Sequence, residues 1–147
     1  MHWKLVIDCA EPHALAGFWA EALGYVVEDN SAFIEGLLAA ERAPAELTVE
    51  VGGKRAWRHL VGVRHPEDPY EEETGIGKGR RLLFIQVPEP KTVKNRLHMD
   101  LHPGAGKREA EVARLVALGA SVLREVDEPG GRWTVLSDIE RNEFCVS

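Results

Sequence analysis

Cysteine is scarce in this chain, because Cys9 and Cys145 are the only two among 147 residues. Small extracellular scaffolds that rely on disulfides carry many more cysteines for their length. Two thiols in a reducing compartment are more often buried apolar residues than partners in a disulfide. The sequence itself leaves a Cys9–Cys145 pairing open.

Long apolar runs and an excess of basic residues are also missing. No apolar stretch approaches the roughly 20 residues that a membrane-spanning helix requires. The first residues, Met-His-Trp-Lys, lack the form of a signal peptide and run into a predicted strand, so we expect a cytoplasmic location. The net charge is −6, from 18 basic and 24 acidic residues, whereas nucleic-acid binding needs a basic face. We therefore expect neither a membrane nor a nucleic-acid partner.

What the chain does contain is a repeat. Residues 4–24 and residues 96–119 follow one plan, in which a strand and a turn lead into an amphipathic helix that Leu-Gly closes. In the first copy, Val6 and Asp8 share one face of the strand, and in the second copy His98 and Asp100 do so. Two copies of one unit often enclose one site, so these positions are candidates for its lining.

The rest of the pattern extends both copies into an α+β fold with eight or nine strands and two main helices. Further strands are predicted at 25–28, 46–51, 59–63, 81–87, 122–126, 132–136 and 143–146. Residues 31–43 fit either a helix or the end of a strand. Residues 65–80 form a loop of the length expected for a binding lid or a disordered segment.

The second half is thus β-α-β-β-β, and the first half is the same with an inserted excursion at 30–58. We interpret residues 1–147 as a single domain. Its first module covers about 3–87 and its second about 95–147, with a proline-containing linker at 88–94 between them.

Four segments carry a resemblance to a known family. They run from Asp8 to Gly24, from Val87 to Asp100, from Arg114 to Ala120 and from Trp133 to Cys145. The plan resembles the vicinal oxygen chelate superfamily, and within it the glyoxalase-like and bleomycin-resistance-like branch. The resemblance implies two βαβββ modules whose sheets form a cup-shaped mixed sheet, usually in a homodimer.

In metal-using members of that superfamily, four ligands come from the first and last strand of each module. The repeat places these positions at Val6, Gln86, His98 and Cys145. Valine cannot ligate and a glutamine amide is a weak ligand, so we expect no metal cofactor and no glyoxalase I activity. The alternative is a divalent metal held by His98, Glu143 and Cys145, because Glu143 lies on the same strand face as Cys145.

Three residues are candidates for acid–base catalysis, namely His98, Asp100 and Glu143. A histidine titrates near working pH, and a neighbouring carboxylate can orient it. The structural alternative for His98 is a cup-lining side chain with one hydrogen bond. For Asp100 and its repeat partner Asp8, it is a carboxylate that accepts N–H bonds from the following turn.

Five further residues are candidates for ligand binding: Asp8, Gln86, Arg96, Cys145 and Trp57. Arg96 suits an anionic ligand group, or else forms a salt bridge with an acidic side chain. Cys145 is a buried apolar residue or a ligand contact, and nothing near it in sequence indicates an activated thiolate. Trp57 stacks on a flat ligand or packs beneath a loop.

Together these features predict a glyoxalase-like protein that binds a small organic molecule in a cup. It would be an enzyme of the lyase, isomerase or hydrolase type without the full metal site. The alternatives are a metal-free protein that sequesters its ligand, as resistance proteins do, and an interaction domain without catalysis. Fold alone does not choose among them.

Overall fold

The computed structural model describes residues 3–147, and the chain divides after Pro88 into two compact units. The helices and strands of the first unit are β1 (Leu5–Cys9), α1 (Pro12–Leu23), β2 (Val26–Val27), α2 (Ser31–Ala39), β3 (Thr48–Val51), β4 (Lys54–Trp57), β5 (Leu60–Arg64) and β6 (Arg81–Gln86). Those of the second unit are β7 (Asp100–Leu101), α3 (Arg108–Ala117), β8 (Ser121–Glu128), β9 (Gly131–Ser137) and β10 (Glu143–Val146).

The first unit is built on a four-stranded sheet in the order β1-β6-β5-β2, with β1 parallel to β6 and the other pairs antiparallel. Helix α1 packs on β5 and β6 and buries Leu15 and Trp19. Across from them, Phe84 and Val63 have no exposed surface. Burial of these large apolar side chains supplies most of the stability of the unit.

The ends of α1 are those that the sequence predicts. Pro12 occupies the first position, where a missing N–H costs nothing. Gly24 ends the helix in the left-handed conformation, at a φ of 65°, and its N–H donates to the carbonyl of Ala20. A glycine adopts this φ without the steric cost that a side chain would bring.

The excursion at 30–58 contains more regular structure than the sequence predicts. The ambiguous segment at 31–43 forms helix α2, and a hairpin of β3 and β4 follows it. Strand β4 was not predicted, although Gly52-Gly53 between two short runs is a recognised hairpin turn. Both glycines take positive φ angles, of 56° and 78°.

The loop at 65–80 is tied to the sheet through buried charges. Arg81 donates two hydrogen bonds to Glu28, at 2.6 and 2.7 Å, and their side chains are only 9% and 1% exposed. The N–H of Gly77 donates to the same carboxylate. At the start of the loop, Asp68 binds Arg80, and this hydrogen bond holds the pKa of Asp68 at about 2. Of the predicted alternatives, disorder is therefore wrong for this segment.

The second unit repeats the sheet of the first. Its order is β7-β10-β9-β8, with β7 parallel to β10 and the other pairs antiparallel. In both units the first strand therefore lies beside the fourth, and the third beside the second. Helix α3 buries Leu115 against a core that includes Leu136 and Phe144, all without exposed surface.

The predicted α+β class is confirmed, with ten strands and three α-helices among residues 3–147. The strand that opens the second copy of the repeat is short and comprises Asp100–Leu101 alone. Leu97, just before this strand, is 78% exposed and does not belong to the core. Within the described residues, no helix is both long and apolar enough to cross a bilayer.

Candidate functional site

In each unit, three positions correspond where the first strand runs beside the last, although in the second unit His98 lies two residues before β7. Asp8 lies beside Ile85 in the register of β1 and β6, and Asp100 lies beside Cys145 in the register of β7 and β10. Residues in register share a face, and so do residues two apart on one strand. The positions of Val6, Asp8 and Ile85 in the first unit are thus equivalent to His98, Asp100 and Cys145 in the second.

This register corrects the expected equivalence of Gln86 with Cys145, which is one residue out. The residue that corresponds to Cys145 is Ile85, and the two phenylalanines that precede them, Phe84 and Phe144, are both fully buried. Gln86 instead uses its amide within the first unit. Its Nε2 donates to the carbonyl of Ala10 at 2.9 Å, and its Oε1 accepts from His59 Nδ1.

His98, Asp100 and Cys145 form the candidate site, and we call them the polar trio. One nitrogen, one carboxylate oxygen and one sulfur from these residues all lie within 4.8 Å of one another. His98 Nε2 is 3.4 Å from Asp100 Oδ1, and the two side chains are 43% and 53% exposed. Cys145 lies beneath them and is 9% exposed. A solute can therefore reach the imidazole and the carboxylate, while the sulfur forms the floor.

The environment of Cys145 keeps its thiol protonated. Burial raises the pKa of Cys145, and the charge and hydrogen bonding of Asp100 raise it further. The nucleophilic form of cysteine is the thiolate, which needs nearby positive charge rather than a carboxylate. The arrangement therefore favours a hydrogen-bonding or acid–base role for His98 and Asp100 over covalent catalysis by Cys145.

Glu143 is bound to other groups and is not part of this cluster. Its carboxylate lies 3.2 Å from Lys91 Nζ and accepts the Asn95 N–H at 3.0 Å. Burial alone would raise the pKa of Glu143, but these partners hold it below its ordinary value. Glu143 therefore stays ionised and fastens residues 91–95 to β10. In the alternative metal set that the sequence suggested, Asp100 takes the place of Glu143.

The remaining candidates lie in different settings. Asp8 is exposed on β1 beside Ile85, and Arg96 is exposed without an ion pair to any residue from 3 to 147. Trp57 is half-buried at the end of β4, where its carbonyl accepts a 2.8 Å hydrogen bond from His13 Nε2. Sequence reasoning placed His98 and Asp100 on one face, and the strand register puts Cys145 beside Asp100.

Comparison with known proteins identifies the scaffold. Residues 4–147 match the family model of the glyoxalase-like domain. A comparison with curated protein sequences gives no match.

Several solved structures share this fold, all at low sequence identity. A glyoxalase/bleomycin resistance protein/dioxygenase family enzyme from Burkholderia phytofirmans is 16% identical, with a TM-score of 0.56 over 97% of this chain and 94% of its own. A mutant of the fosfomycin resistance protein FosX from Listeria monocytogenes, in complex with Mn(II) and a dihydroxypropylphosphonic acid, is 9% identical. Its TM-score is 0.59 over 99% of this chain and 87% of its own.

A third similar structure is a bleomycin-binding protein. It comes from Streptomyces verticillus and is in complex with copper(II)-bleomycin. It is 13% identical, with a TM-score of 0.53 over 100% of this chain and 94% of its own.

The four-ligand metal site that the resemblance implies does not fit the residues of this chain. At the four strand positions stand Val6, Ile85, His98 and Cys145, and the first two have no donor atom. A hard ion such as Mn(II) prefers carboxylate, carbonyl and water ligands, whereas one of the two remaining donors is a buried thiol with a raised pKa. Asp100 adds a third donor in the second unit, whereas its equivalent Asp8 is the only donor among the three corresponding positions of the first unit.

Proposed function

The chain belongs to the glyoxalase-like domain family, and from this premise we propose that it binds a small organic molecule through the polar trio, without a metal. One observation carries the proposal. Where the first unit has Val6, Asp8 and Ile85, the second unit has three side chains that all offer hydrogen-bonding atoms. Polar groups that converge on an accessible site are the usual mark of ligand binding.

The chemistry of the polar trio limits the ligand. Asp100 accepts hydrogen bonds, and His98 donates or accepts according to its tautomer. Both are about half exposed, so a ligand can displace water from them at little cost in rearrangement. The protonated thiol below adds a soft, nearly apolar floor. A small molecule with adjacent donor and acceptor groups, such as a hydroxyl beside a carbonyl, suits this arrangement.

Similar structures support a small-molecule role, because one neighbour binds copper(II)-bleomycin and another binds a phosphonic acid. Their identities of 13% and 9% support the fold and do not transfer either ligand to this chain.

A thermal-shift screen of small polar metabolites tests the proposal. A ligand at 100 times its dissociation constant should stabilise the protein by about 2.7 kcal/mol. We expect His98→Ala and Asp100→Asn to abolish the shift. His102→Ala is a matched control, because His102 is an exposed histidine of the same unit that contacts Ser147 instead. A ligand whose shift survives both site variants would contradict the proposal, and a screen without hits would favour an interaction domain.

A second candidate function is acid–base catalysis, which the 3.4 Å approach of His98 to Asp100 favours. In this role Asp100 orients the imidazole and stabilises its charged form, while His98 transfers the proton. A lyase, isomerase or hydrolase reaction of this kind needs no metal. Turnover that persists unchanged in His98→Ala would remove His98 from any mechanism.

We also propose that the protein is a homodimer that works in the reducing cytoplasm. Val93 and Leu97 support an interface between two copies of the chain, since these apolar side chains are 74% and 78% exposed. Cys9 and Cys145 are both buried and are not joined in a disulfide, which fits a reducing compartment. Light scattering should give twice the chain mass of 16.3 kDa. A Leu97→Asp variant should then shift towards the monomer, and an unchanged mass would contradict this interface.

A further inference from the structure

The first unit contains a cavity that the polar trio does not explain. Its volume is about 220 Å³, and its lining includes Val27, Val51 and Leu60. These three side chains are 48%, 41% and 37% exposed. A single exposed aliphatic residue is ordinary, but three around one concave space indicate a binding site for an apolar group.

This cavity reaches the side of the sheet that α1 covers. Val27 lies opposite Val63 in the register of β2 and β5, and Val63 is fully buried. His13, which also lines the cavity, belongs to α1 itself. The face that carries Val6 and Asp8 is the opposite one, because strand neighbours alternate between faces. Leu60 lies on that opposite face, because it is in register with Ile85 on β6, so the cavity lining includes residues from both faces of the sheet.

Most charges around the cavity are already neutralised. Lys54 Nζ binds Asp29 at 2.5 Å, and hydrogen bonds from Lys54 and then Ser31 hold the pKa of Asp29 at about 2. Glu28, also in the lining, is paired with Arg81. His13 donates from Nε2 to the carbonyl of Trp57.

Arg55 is the exception in this lining. It is exposed and has no hydrogen bond or ion pair with any residue in the described range 3–147. Glu50 lies opposite it in the register of the β3–β4 hairpin, but the two side chains do not form an ion pair. A guanidinium beside an apolar cavity suits a planar carboxylate, which it can bind through two parallel hydrogen bonds.

We propose that this cavity binds a small apolar carboxylic acid, with the carboxylate on Arg55 and the apolar part against the aliphatic lining. The volume of about 220 Å³ is below the range of drug-sized sites, so it suits a single ring or a short branched chain. The proposal is independent of the function proposed for the polar trio, which lies in the other unit.

Amide chemical-shift titration with benzoate and with its neutral isostere benzamide tests the proposal. In the wild type, benzoate should bind about tenfold more tightly than benzamide, since a hydrogen bond to a charged group contributes this much. The shifts should centre on residues 26–29 and 51–57. Arg55→Gln should weaken benzoate about tenfold and leave benzamide unchanged. Arg42→Gln, which removes an exposed arginine outside the cavity lining, is the matched control.

Four outcomes would overturn the proposal: no benzoate binding, equal affinity of the wild type for both probes, equal losses in the two arginine variants, or shifts centred on residues 98–100 and 145. His98→Ala separates this site from the polar trio. We expect it to leave benzoate binding unchanged, and a loss there would also count against the cavity.

Discussion

The two units share one strand order but carry different side chains on the sheet face opposite the core. Both order their strands as first, fourth, third, second, and both place a fully buried phenylalanine, Phe84 or Phe144, on the fourth strand. On the other side of that strand, the first unit has Ile85 and the second has Cys145. The core positions are held by packing, whereas the accessible face contributes little to folding and is free to differ. A duplicated scaffold therefore does not imply a duplicated site.

The units also differ in how deeply their ion pairs are buried. The Glu28–Arg81 pair of the first unit is 1% and 9% exposed, whereas Glu143 and Lys91 in the second unit are 16% and 19% exposed. An almost fully buried pair is costly to break, because removal of one partner leaves the other charge without water or a counter-ion. The loop at 65–80 of the first unit thus depends on a contact for which the second unit has no equally buried counterpart among the described residues.

The largest expected effect tests whether the two cores are equivalent. Phe84→Ala and Phe144→Ala should each lower the free energy of unfolding by about 3–5 kcal/mol, since both remove a buried aromatic ring and leave a cavity. Val6→Ala, on the 41% exposed face position of β1, should change it by less than about 0.5 kcal/mol. Urea denaturation measures all three. A cost below about 1 kcal/mol for either phenylalanine would show that its unit is packed differently.

A smaller effect sharpens the contrast in buried charge. Glu28→Gln should lower the free energy of unfolding by about 3 kcal/mol, because Arg81 then remains buried without a counter-charge. Glu109→Gln is the control in the second unit, since Glu109 also pairs with an arginine, Arg108, but its own side chain is 73% exposed. We expect the control to keep the wild-type denaturation midpoint. If Glu28→Gln also keeps it, the buried pair does not fasten the loop at 65–80.

The next prediction tests the electrostatics of the polar trio. Asp100→Asn should lower the pKa of Cys145, because it removes a negative charge that disfavours the thiolate. The thiolate then forms at lower pH, and alkylation by iodoacetamide should accelerate several-fold at pH 8. Mass spectrometry follows the rate at Cys145, with Cys9 as the internal control because it lies in the first unit and is 4% exposed. Equal rates at Cys145 in wild type and variant would contradict the proposed influence of Asp100.

The sequence predicts the repeat well, because its signals are local. Gly24 ends α1 as expected, and Gly119, which follows α3, also takes a positive φ, of 114°. The α+β class follows from the same kind of pattern, and so does the proximity of His98 to Asp100, although His98 lies two residues before β7. These features need no knowledge of which strand pairs with which.

The features that the sequence did not predict depend on which strands pair and in which register. The match of Gln86 with Cys145 is wrong by one residue. The short segments at 82–87 and 144–146 can be aligned in either register from sequence, and only pairing with the neighbouring strand decides between them. Strand β4 was missed because Lys-Arg-Ala-Trp has little of the β-branched character that marks strands. Its place comes from the turn and from pairing with β3.

Metal content tests the central proposal, that the polar trio of the second unit works without a bound metal. We predict that protein purified without chelators contains well below one equivalent of zinc, manganese, iron or nickel by elemental analysis, because Val6 and Ile85 supply no ligand. Stoichiometric metal that is lost in His98→Ala and retained in His102→Ala would contradict the account.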